Sequence, residues 1–182
     1  MNDKTAHNSK EFFIDGSMVN IRPLSLSDDI AGTPYSKVLE NDSFVTLGQL
    51  SHPDNTGLYD YQSTDDGFVY LAESENDETN NKQVIGLAIY KKSSITFSHE
   101  MSLIIAKDYL TTRLPYELAE TLIKDAASHR IQTLYTKDDS TDNHMLGLAQ
   151  KMGMSVRIEQ DTTGRNIVYS LQVDEHPGIV RF

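Results

Sequence analysis

The sequence predicts a mixed α/β domain built around one β-sheet, on three observations. Apolar runs of strand length recur along the chain with turn residues between them, and two clearly amphipathic helical segments appear only in the C-terminal half. The 182 residues suffice for one domain of ordinary size with its own core. There is no cysteine, which excludes a disulfide framework, a zinc-thiolate site and a cysteine nucleophile.

The elements follow in chain order. Residues 11–14 and 18–22 are apolar runs flanking Asp15-Gly16, a dipeptide suited to a tight turn, and predict a hairpin whose second strand Pro23 ends. Residues 24–29 set capping Ser and Asp residues ahead of a short helix, with Gly32 and Pro34 beyond. Residues 41–67 read as loop-rich, with turn clusters at 52–55 and 63–67 and a short helix over 43–50. Residues 67–73 and 83–90 predict a second hairpin, joined by the polar stretch 74–82. The run MSLIIA within 97–106 predicts a strand buried on both faces in the middle of the sheet. A helix follows from 115 to 129, with Pro115 at its first position and Leu118, Leu122, Ile123 and Ala126 on one side. Residues 131–136 predict a strand and 142–152 an amphipathic helix capped by Gly153. Residues 154–159 and 166–173 predict a closing antiparallel pair. The expected boundaries are a flexible N-terminal tail over 1–10, one domain over 11–175 and a C-terminal tail over 176–182.

Charge narrows the partners. With 27 acidic against 16 basic residues the formal charge is −11, which repels phosphate backbones and anionic lipid, so neither nucleic acid nor membrane is expected. Solubility is the plain role of this acidity. Docking to a basic protein, or to a second copy of the chain as a homodimer, is the alternative. Residues 1–10 lack the apolar stretch of a signal peptide and no window is long enough to span a bilayer, so a cytoplasmic location is expected. His52, His129, His144 and His176 show no metal-ligand spacing, and no metal is expected. There is no P-loop, nucleophile elbow or H-E-x-x-H motif.

Three segments carry a family resemblance. Residues 14–24 read IDGSMVNIRPL, followed by Asp28-Asp29; residues 100–109 read EMSLIIAKDY; residues 143–154 read NHMLGLAQKMGM. They are similar, in this order, to the patterns D-G-x-x-V-x-I-R-P-I/L, E-φ-A-φ-φ-V-x-x-D-φ and N-x-x-M-x-x-L-A-x-x-x-G-F, where φ is apolar. The chain thus resembles the GNAT superfamily of acyl-CoA N-acyltransferases, most closely the acetyltransferase domains of bacterial protein-lysine acetyltransferases. The resemblance implies a mixed, mostly antiparallel central sheet flanked by helices, with a splayed central strand before the helix that carries the pyrophosphate loop. It also implies transfer of an acetyl group from acetyl-CoA to a primary amine, on a protein lysine or a small molecule.

Residue by residue, the resemblance makes Glu100 the general base that deprotonates the amine for direct attack on the thioester. Leu103, Ile104 and Ile105 would line the splayed strand, whose backbone groups bind the pantetheine arm. The family's phosphate cradle, Q/R-x-x-G-x-G/A, aligns with LTTRLP at 110–115, where neither glycine position holds glycine. Arg113 and Pro115 add bulk, Pro115 removes an N–H, and Glu117 repels a diphosphate. Thr111, Thr112 and Arg113 would compensate with hydroxyls and a cationic fork, with Leu114 and Tyr116 beside them. Asn143 is the cofactor-side asparagine, while Ala149 stands where many relatives carry a tyrosine general acid. Each residue also has an ordinary role: Glu100 as a solvated strand-end glutamate, Leu103 to Ile105 as core, Thr111 to Arg113 as a helix cap, and Asp142 or Asn143 as an N-cap. A degenerate GNAT domain without CoA affinity, acting as a binding or regulatory module, is therefore the second expectation.

Overall fold

Asp15 and Gly16 both adopt positive φ, 48° and 85°, the backbone that a two-residue hairpin requires. They join β1 (Lys10–Ile14) to β2 (Ser17–Pro23) in the computed structural model, which describes residues 9–51, 55–63, 67–76, 81–94, 97–139, 143–162 and 164–176. Residues 1–8 and 177–182 of the expected tails, His52 and the capping candidate Asp142 lie outside the described residues. Lys10 pairs with Ile21 and His176 is buried with Nε2 3.4 Å from Glu120, so the packed chain runs one residue past 11–175 at each end.

The expected helix after Pro23 does not form. Its capping carboxylate is engaged elsewhere: Asp28 Oδ2 accepts the Ser25 N–H at 2.7 Å, and both Asp28 oxygens accept from the Arg22 guanidinium at 2.9 and 2.7 Å. Turns result, and the first helix, α1 (Tyr35–Leu39), begins only after Pro34. The short helix expected over 43–50 is instead a strand, β3 (Phe44–Leu47). Phe, Val and Thr fit a pleated surface, and a partner strand supplies the hydrogen bonds that four residues of helix could not make for themselves. A further short helix, α2 (Leu58–Ser63), hides Leu58 and Tyr61 within the loop-rich stretch.

The remaining elements follow the expected order: β4 (Gly67–Asn76), β5 (Asn81–Lys92), β6 (Ser98–Ala106), α3 (Leu114–Ser128), β7 (Thr133–Asp138), α4 (Asn143–Met152), β8 (Ser155–Asp161) and β9 (Gly164–Gln172). β4 and β5 run further than their apolar cores because polar residues pair at their ends, Ser74 with Gln83 and Glu75 with Lys82. Gly153 closes α4 with φ 70°.

The described residues form one nine-stranded sheet in the order β1-β2-β4-β5-β6-β7-β9-β8, with β3 attached to β6 off this path. Every pairing is antiparallel except β6 with β7. Alternation along β6 feeds both layers. Met101, Leu103 and Ile105 enter the core shared with α3 and α4, and Ile104 enters the one shared with α1 and α2. No helix among the described residues is long and apolar enough to cross a membrane.

Candidate active site

The parallel pairing of β6 with β7 covers only residues 98–100 of β6, so the two strands fork immediately beyond Glu100. One edge of β6 pairs with β5 from His99 to Ile105. The other edge, past the fork, is the stretch whose backbone the resemblance assigns to the pantetheine arm. β3 occupies it: Phe44 pairs with Ala106, Val45 with Ile105, Thr46 with Ile104 and Leu47 with Leu103. Leu103, Ile104 and Ile105 therefore have a neighbouring strand on both sides.

Several bonds fix the β3 segment across the fork. At its start the Lys107 N–H donates to the Ser43 carbonyl at 3.0 Å; at its end the Gln49 N–H donates to the Lys137 carbonyl of β7 at 2.8 Å. Thr136 Oγ1 donates to the Gln49 carbonyl at 3.3 Å. Beneath the turn, buried Tyr35 donates its hydroxyl to Ser102 Oγ at 2.9 Å, and Ser102 donates to the Gly48 carbonyl at 2.8 Å. Burial raises the Tyr35 pKa, keeping it a neutral donor. Gly48 has φ 69°, and a Cβ there would lie 2.3 Å from Thr136 Oγ1; only glycine permits this approach. Ser102 stands where the E-φ-A pattern has alanine, and its hydroxyl serves this network alone among the bonds described.

Glu100 sits at the branch point, half-buried. Oε1 accepts from the Tyr135 hydroxyl at 2.9 Å and Oε2 from the Ser51 N–H at 2.8 Å. Tyr135 spends its only proton on Glu100, so Ser93 must donate to Tyr135 at 2.7 Å. Burial, chiefly, raises the Tyr135 pKa. Both carboxylate oxygens thus already hold donors, one of them from the segment that follows β3.

The loop before α3 is organised around its own helix. Thr112 Oγ1 donates to the Tyr109 carbonyl at 2.7 Å and accepts the Leu114 N–H at 3.2 Å. Arg113 lies with its guanidinium 4.5 Å from the Phe12 ring centroid and 3.8 Å from Glu117. Glu117 also pairs with Lys10 of β1, so the positive end of α3 faces a carboxylate with two cationic partners. Leu114 is fully buried in the core, and Tyr116 donates its hydroxyl to Glu120 at 3.1 Å.

A cavity of about 160 Å³ remains between this loop and α4. It gathers Thr111, Thr112, Tyr116 and Asn143, with Lys151 and with Leu47 of β3 as part of its wall. Asn143 is the exposed first residue of α4, and Ala149 is fully buried. Sequence reasoning thus placed four of its nine cofactor positions around one cavity. It missed Tyr35, Gly48, Ser102, Tyr135 and Thr136, for which the departure from alanine at 102 was the available signal.

No family model matches the sequence, and no curated protein matches it. Solved structures do. The chain superposes on yncA from Salmonella typhimurium, solved with its cofactor acetyl-CoA, with a TM-score of 0.64 at 18% identity, covering 87% of this chain and 96% of that one. An N-acetyltransferase from Staphylococcus aureus gives 0.58 at 14% identity over 85% and 98%. The GNAT domain of S. lividans PAT gives 0.62 at 12% identity over 93% of this chain and 100% of that domain. At these identities the likeness is one of fold, and with the mixed sheet, the fork after β6 and the helix that follows it, the chain has the GNAT fold.

Proposed function

We propose that this chain is a GNAT-fold module that works by binding, with no acyl-CoA turnover in its folded form. One observation carries the reading: β3 is paired to residues 103–106 of β6, along the edge where a pantetheine arm would need free backbone groups. Releasing β3 breaks a four-residue ladder, uncovers Leu47 and strands the buried Ser102 hydroxyl. At about 1 kcal/mol net for each hydrogen bond lost, the release costs about 4 kcal/mol or more. That penalty weakens about a micromolar ligand to about a millimolar one. The loop adds to it, because Glu117 occupies the helix end that would meet the diphosphate.

A second reading has its own support in Glu100 at the fork and in the cavity around Asn143. There the chain is an N-acetyltransferase that moves the acetyl group of acetyl-CoA to a primary amine by direct attack. The amine nitrogen bonds to the thioester carbonyl carbon, the amine proton passes to Glu100, and CoA leaves as thiolate. Titration calorimetry with acetyl-CoA separates the two. The expected result is no saturable heat up to about 1 mM ligand. Saturable binding well below that, together with amine-dependent release of CoA that Glu100→Gln abolishes, overturns the binding-module reading in favour of the enzyme.

A further inference from the structure

The sheet ends on β8, and among the described residues no strand lies along its outer edge. Unpaired edges in soluble proteins are ordinarily shielded by proline, a bulge, short length or charged side chains, and of these β8 carries only charges, of both signs. β8 runs for seven residues, holds no proline and pairs with β9 without a register shift. The opposite edge, β1, is five residues long and its Lys10 is tied to Glu117. β8 also presents apolar surface: Val156 is 45% and Ile158 57% exposed, on the same face as half-buried Ile167, the cross-strand neighbour of Ile158. The alternate residues Arg157 and Glu159 lie on the other face, 2.7 Å apart.

We infer that the outer edge of β8 docks a second copy of this chain, strand to strand and antiparallel, about a two-fold axis at Ile158. The sequence of the edge selects that register. With Ile158 opposite Ile158 of the second copy, Arg157 faces Glu159 and Glu159 faces Arg157, so two opposite-charge pairs form on one face and an apolar contact on the other. Sliding by one repeat in one direction sets Arg157 opposite Arg157; sliding the other way sets Glu159 opposite Glu159. Slipping by a single residue would bring the wrong face forward. The edge is self-complementary in one alignment and repulsive in its neighbours. The acidic balance of the whole chain opposes association at low salt but is screened beyond about 8 Å at physiological ionic strength. A single strand pairing is a small interface, which sets the association in a weak range. The inference concerns an edge remote from β3 and stands under either reading of the cofactor site.

The test is sedimentation velocity of the full chain at physiological salt from about 1 μM to about 1 mM. A monomer–dimer equilibrium is expected, weakened about tenfold or more by Arg157→Glu and restored when Glu159→Arg is added to it. All three proteins should give the same circular dichroism spectrum and similar melting, because Arg157 is exposed, Glu159 is half-buried at the surface beside Arg157 and Lys137, and surface ion pairs add little stability. A chain that stays monomeric throughout overturns the inference. So does a dimer indifferent to Arg157→Glu, or a folded double variant that fails to recover association.

Discussion

The most informative single residue is Ser102, one hydroxyl away from the alanine its motif expects. Its position at the centre of a strand identifies it as buried, but nothing local shows what a buried hydroxyl there would bond, because Tyr35 and the Gly48 carbonyl are 67 and 54 residues away. Ser102→Ala is expected to cost about 1–3 kcal/mol in urea unfolding, since it strands the Gly48 carbonyl. Gly48→Ala should cost more, combining positive φ with a clash against Thr136. Asp28 governs part of the acid response. The hydrogen-bonded Arg22 guanidinium holds its carboxyl below the usual 3.8, so the unfolded chain takes up that proton more readily. The resulting stability is complete above the unfolded value and is lost as pH falls through the folded one. Asp28→Asn should flatten the decline of the urea midpoint between about pH 5 and about pH 2.

At the level of elements, hydrophobic patterning was a good guide wherever an element buries one or both of its own faces. The first hairpin, β6, α3, α4 and the closing pair all show it. It failed over 43–50, where a short apolar run fits helix or strand equally and the decision belongs to a partner some 60 residues later. The loop before α3 was readable as altered from its missing glycines, but its destination was not: Arg113 turns to Phe12 and Glu117 because β1 lies against the helix start. Helix α4 offers a clean check on local energetics. A Cβ at Gly147 meets nothing within 4 Å, so Gly147→Ala should raise stability by about 0.5–1 kcal/mol through lost unfolded-state entropy. Differential scanning calorimetry would register this as a higher melting temperature.

Across the whole molecule, the order of strands and helices pointed to a mixed α/β arrangement around one sheet, and the three motifs in sequence order narrowed it to the GNAT fold. The fate of the cofactor edge was a matter of topology alone. No residue of β3 is unusual; its meaning comes from lying in the fork between β6 and β7. The same sheet that closes at its centre has no further strand beyond β8 among the described residues, which moves the expected interaction from the cofactor groove to the rim. The central claim is that residues 103–106 are sequestered by β3, and backbone amide NMR tests it most directly. With acetyl-CoA added to about 0.1 mM, the amides of Thr46, Leu47, Ile104 and Ile105 should keep their shifts, and those bonded between β3 and β6 their slow hydrogen exchange. Saturable shifts at these four amides, with their exchange with solvent accelerated on the β3 side, would show that the strand yields to the cofactor and would contradict the account.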